Sequence, residues 1–193
     1  MTDHRGTLPQ ISQSVTVRYD PVEDRVVVIV QSSETAFIMH LTRRLTTRLV
    51  PALSRQLATR QGDARLKKAG WQDELLSIKH GRAVLQVREV QMEASPTPLL
   101  GRRPIELPVH RPTRVNSSVD PQGMTSLTFF TDECQVGQLF LGLRELHWFL
   151  DRLVSIDREA GWSELMPTPA WLAPSDLAED SFLLSASPAP TMH

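Results

Sequence analysis

Four arginines in one predicted helix form the strongest candidate for a binding site in this sequence. Apolar residues recur at helical spacing, which predicts an amphipathic helix; they are Leu41, Leu45, Leu49, Leu53 and Leu57. On a helical wheel Arg44, Arg48 and Arg55 fall within about 40° of one another, opposite the leucines, and Arg43 precedes them. Each guanidinium fork can bind two oxygens, so this surface suits carboxylates or phosphates. The alternative is a solvated helix face with weak surface ion pairs.

A second candidate is an acid–base group at Glu145, His147 and Asp151. His147 and Asp151 are one helical turn apart and could share a proton or a metal ligand set. Two ligands are too few for a metal site, and the other histidines are scattered without metal spacing. We therefore expect a structural or solvent-facing role for His147. We assign no catalytic residue, metal or cofactor, because the familiar catalytic and phosphate-loop motifs are also missing.

The C-terminal tail is the third candidate, because residues 164–193 contain acids but no lysine or arginine. Its apolar anchors are Trp171, Leu172, Phe182 and Leu183. Acidic and apolar residues in this mixture are typical of peptides that dock into a groove of a partner protein. The tail could equally fold back, so that its aromatic residues cover an apolar patch and its acids meet the arginines.

The aromatic residues of the second half raise the alternative of nucleic-acid binding. A sheet that exposes aromatic rings beside a basic helix could stack on single-stranded bases. Neighbouring residues of a strand point to opposite faces, so at most one of Phe129 and Phe130 is available for stacking. Core packing is the simpler explanation for both, since they lie in the most apolar part of the chain.

Composition excludes several classes of protein. The chain has 193 residues, 21 Lys and Arg against 22 Asp and Glu, and a single cysteine, Cys134. A net charge of −1 gives no global field for nucleic acid or membrane. One cysteine cannot form an internal disulfide, which is compatible with a reducing compartment. Without an apolar run of roughly 20 residues or a signal peptide, we expect a cytoplasmic protein with no membrane contact.

The fold class follows from a pattern that occurs twice. Residues 17–50 and 119–154 each contain an Asp-Pro turn, apolar strands and a leucine-spaced helix, and an Ala-Gly-Trp triplet appears after each. We expect an α+β fold in which two strand-strand-helix units share an antiparallel sheet with helices on one face. An internal duplication is one explanation. The alternative is that hairpin-then-helix is simply a common arrangement.

These patterns divide the chain into five segments. We predict a flexible N-terminus (1–12), a first unit with an additional helix or strand (13–92), a proline-rich connector (93–113), a second unit (114–166) and the tail (167–193). Pro51 lies inside the first predicted helix, where we expect a kink or a junction of two helical pieces.

The leading functional hypothesis is a non-catalytic accessory protein that binds protein partners through its Arg-rich helix and its tail. It could also form a homodimer. Binding of a nucleic-acid phosphate backbone is the alternative, and an enzyme built around Glu145, His147 and Asp151 is a third.

Overall fold

The computed structural model describes residues 13–32, 36–93, 107–132, 134–162 and 168–172. Seven strands, four helices and one 3₁₀ turn make up these ranges. The first half contains β1 (Gln13–Asp20), β2 (Arg25–Ser32), β3 (Ala36–Thr42), α1 (Arg43–Gln61), α2 (Ala64–Ala69) and α3 (Gln72–Glu93). The second half contains β4 (Val109–His110), β5 (Arg114–Val119), β6 (Thr125–Thr131), β7 (Cys134–Leu141), α4 (Leu143–Glu159) and the 3₁₀ turn Ala170–Leu172. The predicted α+β class is confirmed.

The strands form two hydrogen-bonded sheets rather than the single shared sheet that the sequence predicts. One sheet has the order β1-β2-β3-β4 and the other has the order β5-β6-β7. All pairs are antiparallel except β3 with β4, which run parallel. The short strand β4 comes from the predicted connector, and Ile38 N–H donates to Pro108 O at 2.9 Å. That pairing occupies the outer edge of β3, and the remaining strands of the second half form their own sheet.

The two sheets meet where the ring of Phe37 on β3 packs on Gly137 of β7. A Cβ atom at position 137 would lie 2.7 Å from Phe37 Cε2, so only glycine leaves room for the ring. Phe37 is buried as a result. This close approach makes the two halves share one apolar core.

When the short strand β4 is set aside, each half begins with three antiparallel strands followed by a helix. The turns Asp20-Pro21 and Asp120-Pro121 each follow the first strand of a half. Each half therefore contains one more strand than the predicted strand-strand-helix unit. Common element order alone does not establish descent from one repeat, and the internal duplication stays a prediction.

The two Ala-Gly-Trp triplets have a local explanation in the way that helices end. Gly70 and Gly161 adopt the left-handed conformation, with φ of 81° and 69°. The N–H of Trp71 donates to the carbonyl five residues earlier at 2.9 Å, and so does that of Trp162. This is the Schellman arrangement that terminates helices with glycine. The triplets follow α2 and α4, which do not correspond in the two halves, so they do not support the duplication.

Helix α1 is one continuous helix of 19 residues, with Pro51 inside it, rather than two helical pieces. Thr42 caps its start, because the Oγ1 atom accepts from the N–H of Leu45 at 3.2 Å. Its predicted apolar face is buried at Leu49, Leu53 and Leu57. Leu41, which the spacing assigned to this helix, belongs instead to the end of β3.

Residues 72–93 form one helix, α3, which settles the choice between helix and strand in favour of the helix. Alternating apolar residues also fit a strand over such a short run, so periodicity alone could not decide. Helix α3 packs against α4, which buries Leu76 and Val84. Residues 94–106 of the predicted connector lie outside the described residues.

Asp24 ties the first sheet to the end of α4. Its Oδ1 atom accepts from the indole N–H of Trp162 at 2.9 Å and from the hydroxyl of Tyr19 at 2.7 Å. The rings of Tyr19 and Trp162 meet edge to face, with centroids 5.8 Å apart. Trp162 is 1% exposed, so its N–H has no access to bulk water. The carboxylate of Asp24 therefore satisfies a buried donor 138 residues away in the chain.

We predict that Asp24→Ala lowers the free energy of unfolding by about 2 kcal/mol more than Asp132→Ala, because it leaves the Trp162 donor unsatisfied. The two aspartates have nearly the same left-handed φ, 50° and 52°, so the backbone cost of alanine is matched. Urea denaturation followed by circular dichroism measures both variants. Equal decreases in the free energy of unfolding would contradict the prediction, because they would show that the hydrogen bonds of Asp24 add no stability beyond that of an aspartate in a turn.

Candidate anion-binding and partner-binding site

Three of the four predicted arginines share one exposed face of α1. Arg44, Arg48 and Arg55 are exposed, on the side opposite the buried leucines. Successive members are separated along the helix axis by about 6 Å and about 10.5 Å. Among the described residues, no ion pair joins them to an acid. We call Arg44, Arg48 and Arg55 the arginine stripe.

Arg43 does not belong to this stripe. It is only partly exposed, and its guanidinium carbon lies 5.9 Å from the centre of the Trp162 ring. A cation over an indole face is stabilised by the ring quadrupole. Arg43 therefore acts in the packing of α1 on the end of α4, a role that its position on a helical wheel does not reveal.

Two of the predicted tail anchors lie inside the folded chain. Trp171 is 4% exposed and Leu172 is similarly buried. The Trp171 ring meets the rings of His80 and His147 edge to face, with centroid distances of 5.6 Å and 6.4 Å. A partner could contact these two anchors only after they had left the core. Phe182 and Leu183 lie outside the described residues.

His147 is buried in a hydrogen-bonded row that the sequence did not predict. Its Nδ1 atom lies 3.0 Å from Nδ1 of His80, and its Nε2 atom lies 3.2 Å from Oε1 of Gln61. His80 Nε2 in turn lies 3.7 Å from Oδ1 of Asp151. The acid–base pair of His147 and Asp151 is thus bridged by His80, from another helix.

The row assigns a direction to each hydrogen bond. A carbonyl oxygen only accepts, so with Gln61 Oε1 as its neighbour the Nε2 atom of His147 carries the proton. Neutral His147 then accepts at Nδ1 from the N–H of His80. The Nε2 side of His80 faces the carboxylate of Asp151. His147 is therefore held as a neutral ring between two groups that fix its tautomer.

The pKa of His147 is lowered from 6.5 to about 4, chiefly by burial and also by the nearby positive charges of His80, Arg60 and Lys79. Removing an imidazolium from water costs free energy, and nearby cations add to that cost. The neutral ring suits a structural role beneath Trp171. Within the described ranges, no group of three His, Cys, Asp or Glu side chains could hold a metal ion.

His80 was missed because the histidines were compared only by their spacing along the chain. Once residues 72–93 are known to be helical, Leu76, His80 and Val84 follow one another at intervals of four residues on the buried face. A histidine at such a position needs a polar partner. That partner, His147, is 67 residues away and could not be identified from local spacing.

Phe129 and Phe130 point to opposite faces, as the strand alternation predicts. Phe129 is fully buried, whereas Phe130 is partly exposed. The guanidinium carbon of Arg114 lies 4.4 Å from the centre of the Phe130 ring. Arg114 therefore covers one face of the Phe130 ring. This makes Phe130 a poor stacking platform for a nucleic-acid base.

An exposed apolar stripe runs along the outer face of α3. Trp71, Ile78 and Leu85 follow one another at intervals of seven residues and are 62%, 70% and 43% exposed. Seven residues are close to two helical turns, so Ile78 and Leu85 lie within about 20° of each other on α3, and Trp71 immediately precedes the helix. We call them the α3 stripe. Apolar residues at this spacing are typical of a surface that contacts another helix.

No protein-family model matches the chain, and neither the curated proteins nor the solved structures compared with it show a match. Among the described residues, no helix is long and apolar enough to cross a membrane.

We predict that the free energy of unfolding decreases as the pH drops from 6.5 to 4, because of His147. In this interval the unfolded chain binds a proton at residue 147 and the folded chain does not, so stability rises with pH. From the lowered pKa, the loss on acidification approaches about 3 kcal/mol.

His147→Gln removes this proton-binding group, so its stability should change less between pH 7 and pH 4.5 in urea denaturation. The pH 7 value of each protein serves as its own reference, because the substitution also alters packing. The same pH dependence in both proteins would contradict the prediction.

Proposed function

We propose that this chain is a non-catalytic binding protein that holds an acidic partner protein on the arginine stripe. The observation that carries the proposal is the exposure of Arg44, Arg48 and Arg55 on one face of a helix whose other face is buried in the core. A rigid helix holds the three guanidinium groups at fixed spacing, so little conformational entropy is lost when carboxylates bind. Trp171 and Leu172 are left out of the proposed surface because the chain buries them itself.

A protein partner is favoured over nucleic acid by the surroundings of the sheet aromatics. Binding of a single strand usually combines cations with rings on which bases stack. Phe130 has the guanidinium of Arg114 over one face, and Phe129 is buried. The surface of α1 thus offers charges without stacking platforms, which suits carboxylates on a protein surface. Binding of a phosphate backbone alone remains the alternative.

The arginine stripe is tested by fluorescence anisotropy of the full chain with a fluorescein-labelled glutamate-rich peptide and with DNA oligonucleotides. We expect the peptide to bind, and we expect the triple variant Arg44→Ala, Arg48→Ala, Arg55→Ala to bind it about 10-fold more weakly, since three exposed pairs are lost. The substituted side chains are exposed, so the fold should be retained.

The matched control is the triple variant Arg65→Ala, Lys67→Ala, Lys68→Ala, which removes three exposed cations from α2. It should keep the affinity of the unaltered chain. Equal loss in both variants would reduce the effect to net charge and overturn the proposal. Tighter binding of oligonucleotides, with a steep decrease as salt rises, would favour the nucleic-acid alternative.

The predicted homodimer is favoured by a separate observation, the self-complementarity of α3. If two copies of the helix pair antiparallel about Ile78, Trp71 of one copy lies opposite Leu85 of the other. Glu74 then lies opposite Arg82, because each is four residues from the centre. Gly81 has open space where a Cβ would be, so a second helix can approach closely. We propose that a second copy of the chain covers the α3 stripe through this pairing.

Sedimentation velocity at micromolar concentration tests the pairing. Ile78→Lys places two charges at the centre of the interface and should give a monomer, whereas Val22→Lys, at a position 92% exposed in the β1–β2 turn, should leave the dimer intact. Glu74→Arg alone should also weaken the dimer by placing like charges together, and adding Arg82→Glu should restore it. A monomeric unaltered chain, or failure of the charge exchange to restore association, would rule out this arrangement.

A further inference from the structure

A cleft with a volume of about 420 Å³ opens where the end of α1, the middle of α3 and the start of α4 come together. Four cationic side chains line it, and none of its lining residues is acidic. These side chains are Arg60 from α1, Lys79 and Arg82 from α3, and Arg144 from α4. The arginine stripe contributes none of them, so the cleft is a separate feature of the surface.

Two of the four cations are held in place by uncharged oxygens. Arg60 donates from one terminal nitrogen to Thr125 Oγ1 at 3.0 Å, and from the other to Gly123 O at 2.5 Å. Lys79 Nζ donates to Gln61 O at 3.0 Å. Neutral acceptors orient a cation without cancelling its charge, whereas a carboxylate would do both. The chain thus holds two positive charges in place with neutral partners.

The acids nearest to this cleft are engaged elsewhere. Asp151 faces His80 at 3.7 Å on the far side of the histidine row. Glu145, in the first turn of α4, turns its carboxylate back toward Gly142. Among the described residues, no ion pair joins an acid to Arg60, Lys79, Arg82 or Arg144. The positive potential therefore persists in the cleft.

His147 at the cleft wall responds to this potential. Its pKa is lowered chiefly by burial, and the positive charges of His80, Arg60 and Lys79 act in the same direction. The first turn of α4 also borders the cleft through Leu143 and Arg144.

We propose that this cleft binds the phosphate group of a small phosphorylated molecule. Four cations suit a doubly charged anion better than a single carboxylate, and arginine forks match the tetrahedral oxygens of a phosphate. The volume is that of a small-molecule site rather than of a protein interface. This inference uses none of the arginines of the arginine stripe and concerns a different class of ligand, and it shares Arg82 with the proposed pairing of α3.

The test is calorimetric titration of the full chain with inorganic phosphate at pH 7.5 and constant ionic strength. We expect saturable binding, and we expect Arg82→Ala with Arg144→Ala to weaken it about 10-fold, because two charge-assisted hydrogen bonds are lost. Both positions are exposed, which keeps the fold intact. Arg144→Ala alone should also weaken phosphate binding. It leaves Arg82, which the proposed α3 pairing uses, unaltered, so its effect does not depend on self-association.

The matched control is Arg44→Ala with Arg48→Ala, which removes the same charge from the arginine stripe and should change phosphate affinity by less than about 2-fold. Nitrogen-15 NMR adds the location, since phosphate should shift the backbone amide signals of Lys79, Leu143 and Arg144. Absence of saturable binding below about 10 mM would overturn the proposal. So would equal loss in both double variants, or amide shifts confined to residues 44–55.

Failure of the cleft and failure of the arginine stripe give different results. If phosphate does not bind while the glutamate-rich peptide does, the cleft proposal is wrong and the partner proposal stands. If phosphate binds and the peptide does not, the outcome is reversed.

Discussion

The burial of helix α4 is the constraint on which the rest of the structure depends. It packs against α1 and α3, against β1 of the first sheet and against β7 of the second. Five consecutive residues, 146–150, are buried, which a helix achieves only when it is covered on every side. The second half of the chain therefore supplies a central helix for the first half, and neither half buries its apolar surface alone.

A helix covered on all sides must satisfy every polar group that it carries. His147 meets this requirement with Gln61 and His80, and Trp162 just beyond the helix meets it with Asp24. Each partner comes from a different element of the first half. Because an unsatisfied buried donor costs about as much as a lost hydrogen bond or more, these contacts specify how the halves fit together. The segment that contains Trp171 then packs over the histidines.

The near-zero net charge conceals a strong separation of charge along the surface. Arginines without acidic neighbours among the described residues occupy the outer face of α1, and a different set of cations lines the cleft beside α4. Neutral oxygens hold Arg60 and Lys79 in place, so these hydrogen bonds do not neutralise the charges of the two side chains. Positive charge is thus concentrated on two separate surfaces, which the total composition does not reveal.

Local patterns in the sequence were sufficient for most elements. The apolar strands and leucine-spaced helices predicted within residues 17–50 and 119–154 correspond to strands of both sheets and to helices α1 and α4. Helical spacing also placed Arg44, Arg48 and Arg55 together on an exposed helix face. These inferences succeed because the periodicity of side chains within one element is set by backbone geometry alone. Arg43 shows the limit, since its contact with Trp162 depends on where α4 ends.

The sequence by itself determined the α+β class, the arginine stripe and the opposite directions of Phe129 and Phe130. Tertiary structure alone decided that β4 would occupy the edge of β3, that the strands would form two sheets, and that His80 would meet His147. It also decided which cations line the cleft, because Arg60, Lys79 and Arg144 come from three helices. Such pairings depend on how elements that are distant in the chain pack together. The periodicity within one element does not indicate which distant surface that element will contact.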